Sequence, residues 1–114
     1  MFPTQINKNN GGIGMKVFVL LENKNNGSVF KSLEFDDTCI VSDDKKFFMS
    51  DGKEDVDVIF SKKLNENRLK EMGILHEKFV EGKIKVLTFV CRGKSKGKYI
   101  VDKIKYNNVE IVIG

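Results

Sequence analysis

"KIKVLTFVCRGKSKGKYIVDKIKY", residues 83–106, decides the fold, because it reads as one long β-hairpin with a charged tip. On its first arm Ile84, Val86 and Val90 share a face, and Lys83, Lys85, Leu87, Phe89 and Cys91 share the other. We take the Ile84/Val86/Val90 face as the inward one. On the second arm Ile100, Ile104 and Tyr106 point one way, and Tyr99, Val101, Lys103 and Lys105 point the other. Side chains alternate across a strand with period two, so each arm offers two distinct surfaces. Between the arms, Cys91 to Tyr99 places four cations, Arg92, Lys94, Lys96 and Lys98, around two glycines. Asn107-Asn108 then turns the chain into "VEIVI", with Val109, Ile111 and Ile113 inward.

Working outward, the upstream chain is also β in character. "MKVFVLLEN" and "SVFKSLEF" flank "NKNNG", whose Asn-Gly suits a tight turn, and predict a hairpin. "TCIV", "KKFFMS" and "DVDVIFS" are shorter strand candidates. One helix is well signalled in "NENRLKEMG". Asn65 caps its start, Glu66 lies in the first turn, Leu64 and Leu69 form a hydrophobic staple, and Gly73 marks its stop. The continuation "ILHEKF" reads equally as helix or irregular chain.

Strands, one helix and then a long hairpin predict a mainly β domain. The pattern suits an OB-fold-like five-stranded Greek-key barrel with the helix between strands three and four. Another small β-barrel or an α+β sheet is the alternative. A chain of 114 residues holds one such domain, 15–114, preceded by an Asn- and Gly-rich N-terminal arm, 1–14, expected to be flexible. No apolar run approaches the length of a bilayer span, and the first residues lack a secretory pattern, so a cytoplasmic protein is expected. In that compartment Cys39 and Cys91 are expected to be thiols, not a disulfide.

The net charge of +4 is unevenly spread. Residues 82–106 carry eight Lys/Arg against Asp102 alone, whereas residues 34–57 carry nine acidic residues against three lysines. A basic third of this kind favours a polyanionic partner. Lysines bind phosphates as point charges, and aromatic rings provide platforms on which unpaired bases stack. The candidate nucleic-acid-binding residues are therefore Phe18, Phe30, Lys85, Phe89, Arg92, Lys94, Lys96, Lys98, Tyr99 and Lys103. The competing account is a hairpin tip whose lysines serve only solubility.

Catalytic signatures are missing from the sequence, and an enzyme is not expected. His76 is the sole histidine, without a nucleophile motif, and is expected at the surface or its boundary. The pairs Asp36-Asp37, Asp43-Asp44 and Asp55/Asp57 lack the ligand count of a calcium loop and read as solvated turns, so neither metal nor cofactor is expected.

The order of elements, the capped helix "NENRLKEMG" and the basic hairpin "GKIKVLTFVCRGKSKGKYIVDKIKYNNVEIVI" together resemble the small OB-fold single-stranded DNA-binding proteins of bacteriophage type. The likeness spans about residues 15–113 and is architectural. It implies non-specific coating of single-stranded DNA, or RNA, during replication or recombination, by a homo-oligomer with no membrane partner. The bacterial members' acidic tail has no counterpart in "NNVEIVIG". The competing function is a small phage-type inhibitor module acting on a host protein, with the acidic middle as its recognition surface.

Overall fold

The structure is a computed structural model that describes residues 4–7, 16–36 and 38–114. Within them nine strands and one helix follow in the order β1 (Thr4–Asn7), β2 (Val17–Asn23), β3 (Val29–Phe35), β4 (Cys39–Ser42), β5 (Lys46–Ser50), β6 (Asp55–Phe60), α1 (Glu66–Val80), β7 (Val86–Ser95), β8 (Lys98–Tyr106) and β9 (Val109–Val112). The domain is mainly β, as its sequence predicts. The five-strand expectation differs in detail, since the helix here follows the sixth strand. Of the expected N-terminal arm, Thr4–Asn7 forms β1 against β4, and the remainder lies outside the described residues.

One continuous sheet runs β1-β4-β5-β6-β8-β7-β2-β3, with β9 beside β8, and curls into a barrel-like wall. Neighbouring pairs are antiparallel except β2 with β7 and β6 with β8. Both strand β6 and strand β9 lie along the same long partner: β6 pairs with Tyr99–Val101 of β8, and β9 with Lys103–Tyr106. The inner faces bring Val17, Val19, Leu33, Phe35, Ile40, Phe47, Met49, Val58, Leu87, Phe89, Ile104 and Ile111 into a single core. Burial of this kind stabilises by roughly 25 cal/mol per Å² of apolar surface removed from water.

The face assignment on β7 is the reverse of the one expected. Leu87, Phe89 and Cys91 are fully buried, whereas Val86 is 45% exposed. Both faces of this arm carry apolar residues, so alternation alone left the inward side open, and the lysines at 83 and 85 misled. Those two precede the strand, where the chain is still turning and Ile84 is buried. The larger Leu and Phe then take the interior. On β8 the expected inward residues Ile104 and Tyr106 are buried, but beyond the extra residue at Asp102 the alternation reverses: Val101, expected outward, is fully buried and Ile100, expected inward, is half-buried. On β9 Ile111 and Ile113 are buried as expected, whereas Val109 is exposed.

Asn65 caps α1 as expected, its side chain accepting a hydrogen bond from the Arg68 backbone N–H at 2.9 Å. Gly73 does not end the helix, which runs on to Val80. A helix-interior glycine costs about 1 kcal/mol relative to alanine. The burial of Leu75, His76 and Phe79 in the following turns outweighs that cost. Among the described residues no helix is long and apolar enough to cross a membrane, and no disulfide joins Cys39 to Cys91.

Candidate nucleic-acid interface

The tip of the β7–β8 ribbon turns on Lys96 and Gly97, with φ of 53° and 81°. Two successive positive φ values match the right-handed twist of a two-residue hairpin turn. Glycine adopts this conformation readily, and lysine does so at some cost, so the turn holds an exposed cation at the extreme end of the ribbon. Just inside it, Lys94 pairs with Tyr99, and its Nζ lies 4.7 Å from the centre of the tyrosine ring. This is cation–π distance. The Phe30 ring, 40% exposed, sits 5.5 Å from Tyr99 at a tilt of 47°. Phe30 reaches this place because the β2–β3 register slips by one residue between Leu21 and Glu22.

Together these side chains rim a shallow depression lined by Leu21, Lys31, Asp55, Asp57, Lys94 and Tyr99. We call it the mouth of the barrel. Lys31 pairs with the buried Leu21, and so continues the core-facing row outward. Sequence reading missed Lys31. Its signal was the position two residues before Leu33 and four before Phe35, a cation on the end of an apolar face. Lys98 is also at the mouth, where its Nζ lies 3.3 Å from Asp57. Lys31, Lys94 and Lys96 have no acidic partner at ion-pair distance among the described residues, and all three are exposed.

The other candidates are elsewhere. Phe89 is fully buried, with its ring 5.2 Å from Phe47, and is a core residue, not a stacking platform. Phe18 is 44% exposed as expected, but it pairs with Val86 at the opposite end of β7 from the tip. Eight residues of strand at about 3.3 Å each separate that position from Lys94, or about 26 Å. Lys85 is exposed beside Phe18, whose backbone N–H donates to the Lys85 carbonyl at 2.8 Å. Lys103 lies on the outer face, 3.6 Å from Glu110. The ten expected residues thus divide among the mouth, the outer wall and the core.

Arg92 has a structural task. The β7–β8 register shifts on either side of Cys91, leaving Arg92 and Asp102 as opposed extra residues on the two strands. Asp102 is 2% exposed. Its carboxylate accepts from Arg92 Nε at 2.9 Å and Nη2 at 2.7 Å, and from Lys24 Nζ at 2.8 Å. Burial alone would raise the Asp102 pKa. Hydrogen bonds from Arg92 and Lys24 more than offset it and hold the carboxyl far below its usual range. The Asp102 backbone carbonyl accepts from the N–H groups of Ile113 and Gly114. Asp102 therefore neutralises two of the basic residues with its carboxylate and anchors the segment after β9 with its backbone carbonyl. Nothing local in the sequence signals it, since Lys24 and Asp102 are 78 residues apart.

His76 is buried, not at the surface. Its Nε2 is 2.7 Å from the Ser42 hydroxyl, its ring stands edge-on to Phe47, and Nδ1 has no partner among the described residues. Desolvation lowers its pKa to about 4, so the imidazole is neutral at pH 7. Burial, then the charge of Asp102, pushes the Cys91 thiol up to about 12, which makes it a poor nucleophile. In the acidic middle, Asp43 accepts from the backbone N–H groups of Lys45 and Lys46, and Asp51 from those of Lys53 and Glu54. These are turn-forming carboxylates. Among the described residues no three His, Cys, Asp or Glu side chains are placed to share a metal ion.

The sequence matches no protein-family model, and neither the curated proteins nor the solved structures contain a match.

Proposed function

We propose that the protein binds single-stranded nucleic acid, DNA in the first instance, at the mouth of the barrel. The observation that carries this reading is the adjacency of two rings, exposed Phe30 and half-buried Tyr99, to the cations Lys31 and Lys94, which have no acidic partner, with Lys96 exposed at the turn beyond them. Stacking of a base on an exposed ring is worth roughly 1–3 kcal/mol and is tolerant of sequence. Lysines beside such rings neutralise phosphates without reading bases. The role is binding rather than catalysis, and coating of strands opened in replication or recombination in the cytoplasm is its natural use.

The OB-type barrel is the finer reading of the fold that accompanies this function. Strands β4, β5 and β6, then α1, then β7 and β8 follow the three-strand, helix, two-strand order of that fold. In sheet order these five end at β4 and β7, which would have to pair to close a five-stranded barrel; β7 instead pairs with β2. The β2–β3 hairpin is thus an addition, and it brings Phe30 and Lys31 to the mouth. The inhibitor-module reading has less support, because Asp43 and Asp51 are engaged in their own turns and Asp57 with Lys98.

Titration of labelled oligo-dT, poly-U and a duplex at two salt concentrations tests the proposal. The expected result is preference for the single strands, with affinity falling steeply as salt rises. Lys94→Glu with Lys96→Glu should weaken binding and flatten its salt slope, and Tyr99→Ala should weaken it about tenfold or more. Equal affinity for duplex, or no binding to any of the three, overturns the reading. Binding unaffected by these substitutions would remove it from the mouth.

A further inference from the structure

The depression at the mouth holds one group that phosphate binding does not use. Buried Leu21 and Val56 form its apolar floor, and it encloses about 170 Å³. Drug-sized ligands take roughly 300–1,000 Å³, so this depression suits one planar base and not a longer stretch of strand. The exposed Phe30 ring stands at its margin, beside Tyr99, over which Lys94 lies.

The charges around that floor have both signs. Asp57 lies 3.3 Å from Lys98 and is already engaged. Asp55, the first residue of β6, is exposed, and its carboxylate has no donor or cation at bonding distance among the described residues. Lys31, also without an acidic partner, lines the same depression from β3. Strands β8, β7 and β2 separate the two in the sheet, and the curl of the wall brings both side chains to one place.

A carboxylate here repels the phosphates that Lys31 and Lys94 attract, so it works against plain coating. It accepts hydrogen bonds and donates none, whereas an ammonium only donates. The Watson–Crick edges of the bases differ in what they offer such a pair. Guanine presents two adjacent donors, N1–H and the 2-amino group, which match both oxygens of one carboxylate, with the O6 acceptor beside them. Adenine and cytosine set a ring-nitrogen acceptor next to a single amino group, where it opposes the second carboxylate oxygen. Thymine and uracil offer one N–H between two carbonyls. Unpaired bases in single strands are read on these edges.

We propose that the mouth selects guanine, with N1–H and the 2-amino group on Asp55, the Lys31 ammonium on O6, and Phe30 against the ring. The inference rests on the mouth being a single-strand site, and it adds a base preference to the sequence-tolerant contacts there.

Fluorescence anisotropy on the full chain tests it. The probes are the shortest labelled oligo-dT that binds, and the same oligonucleotide with guanine, adenine, cytosine or hypoxanthine at one position at a time. At one position guanine should tighten binding about tenfold over thymine, the scale of a bidentate contact, and adenine and cytosine should not. Hypoxanthine, which keeps N1–H and O6 but lacks the 2-amino group, should lose most of that gain. Asp55→Asn should abolish the preference while oligo-dT binds as well as before or better, because a charge that repels phosphate is gone. The site is exposed at a strand start, and circular dichroism checks that the variant remains folded. Oligo-dT binding with no guanine preference at any position overturns this inference alone and leaves the mouth as a strand site. A guanine preference that survives Asp55→Asn also overturns it. Failure of every oligonucleotide to bind removes both readings.

Discussion

The two ends of the β7–β8 ribbon use the same alternation of apolar and basic residues in opposite ways. At the base, Phe89, Leu87 and Ile104 face inward and form the centre of the core, through a line of contacts from Phe89 to Phe47 to His76 on α1. At the tip, beyond the paired irregularities at Arg92 and Asp102, an aromatic ring and a lysine occupy the corresponding inward positions, with Tyr99 only half-buried at the margin of the core and Lys94 exposed. The difference is how much of the sheet lies in front of each: a ring at the base is fully buried and contributes stability, and the Tyr99 ring at the mouth keeps part of its surface accessible.

The sharpest test of that contrast is truncation of an aromatic at each end. Phe89→Ala should cost about 3–5 kcal/mol of unfolding free energy in urea denaturation, whereas Tyr99→Ala should cost far less and act on binding. Comparable losses at both ends would break the comparison.

The boundary between the ends comes next. Replacing Lys24 and Arg92 together by Met strands a buried carboxylate, which should cost about 3–5 kcal/mol at pH 7. The folded-state pKa of Asp102 is depressed, so its contribution is fully present above the ordinary carboxylate pKa and is lost as pH falls through the folded value. The gap between this variant and the parent should therefore narrow on acidification below about pH 4.

A third measurement separates the base from the tip by pH. His76 is neutral in the fold down to about pH 4, while the unfolded chain takes up its proton near 6.5. Stability should be complete above pH 6.5 and decline by up to about 3 kcal/mol between there and pH 4. His76→Leu should flatten that part of the profile, and charge reversals at the tip should not.

The smallest expected effect is a gain. Gly73 lies inside α1, and a methyl group there would meet nothing within 4 Å. Gly73→Ala should stabilise the closed base by about 0.5–1 kcal/mol, read as a higher urea midpoint, with no change at the mouth.

Most of the strands, the Asn65 cap and a hairpin tip within Cys91 to Tyr99 were legible in the sequence because each depends on residues close together in the chain. Strand pairing runs further into that tip, to a two-residue turn at Lys96-Gly97. The extension of α1 past Gly73 was not legible, since it rests on burial of Leu75 and Phe79 against distant strands. The orientation of β7 failed for a related reason. Its two faces are both apolar, and only the volume available inside the barrel favours Phe89 over Val86. Of the candidate site, Phe30, Lys94, Lys98 and Tyr99 lie at or beside the mouth, and Lys96 at the turn beyond it. Arg92 was lost to Asp102 across the same hairpin, where paired register shifts bring the two together, and Phe89 to the core through contacts with a distant segment. A row of lysines reports charge, but it cannot report which of them already has a partner.

The parallel pairing of β2 with β7 has a consequence for how the chain reaches this shape. Phe18 settles beside Val86 only after more than half the polypeptide has been synthesised between them. Until then the β2–β3 hairpin has an apolar side and no neighbour, so barrel closure should be the slow step of folding. Crowded or rapid expression would penalise this protein at that stage, through association of the waiting hairpins rather than any weakness of the finished barrel.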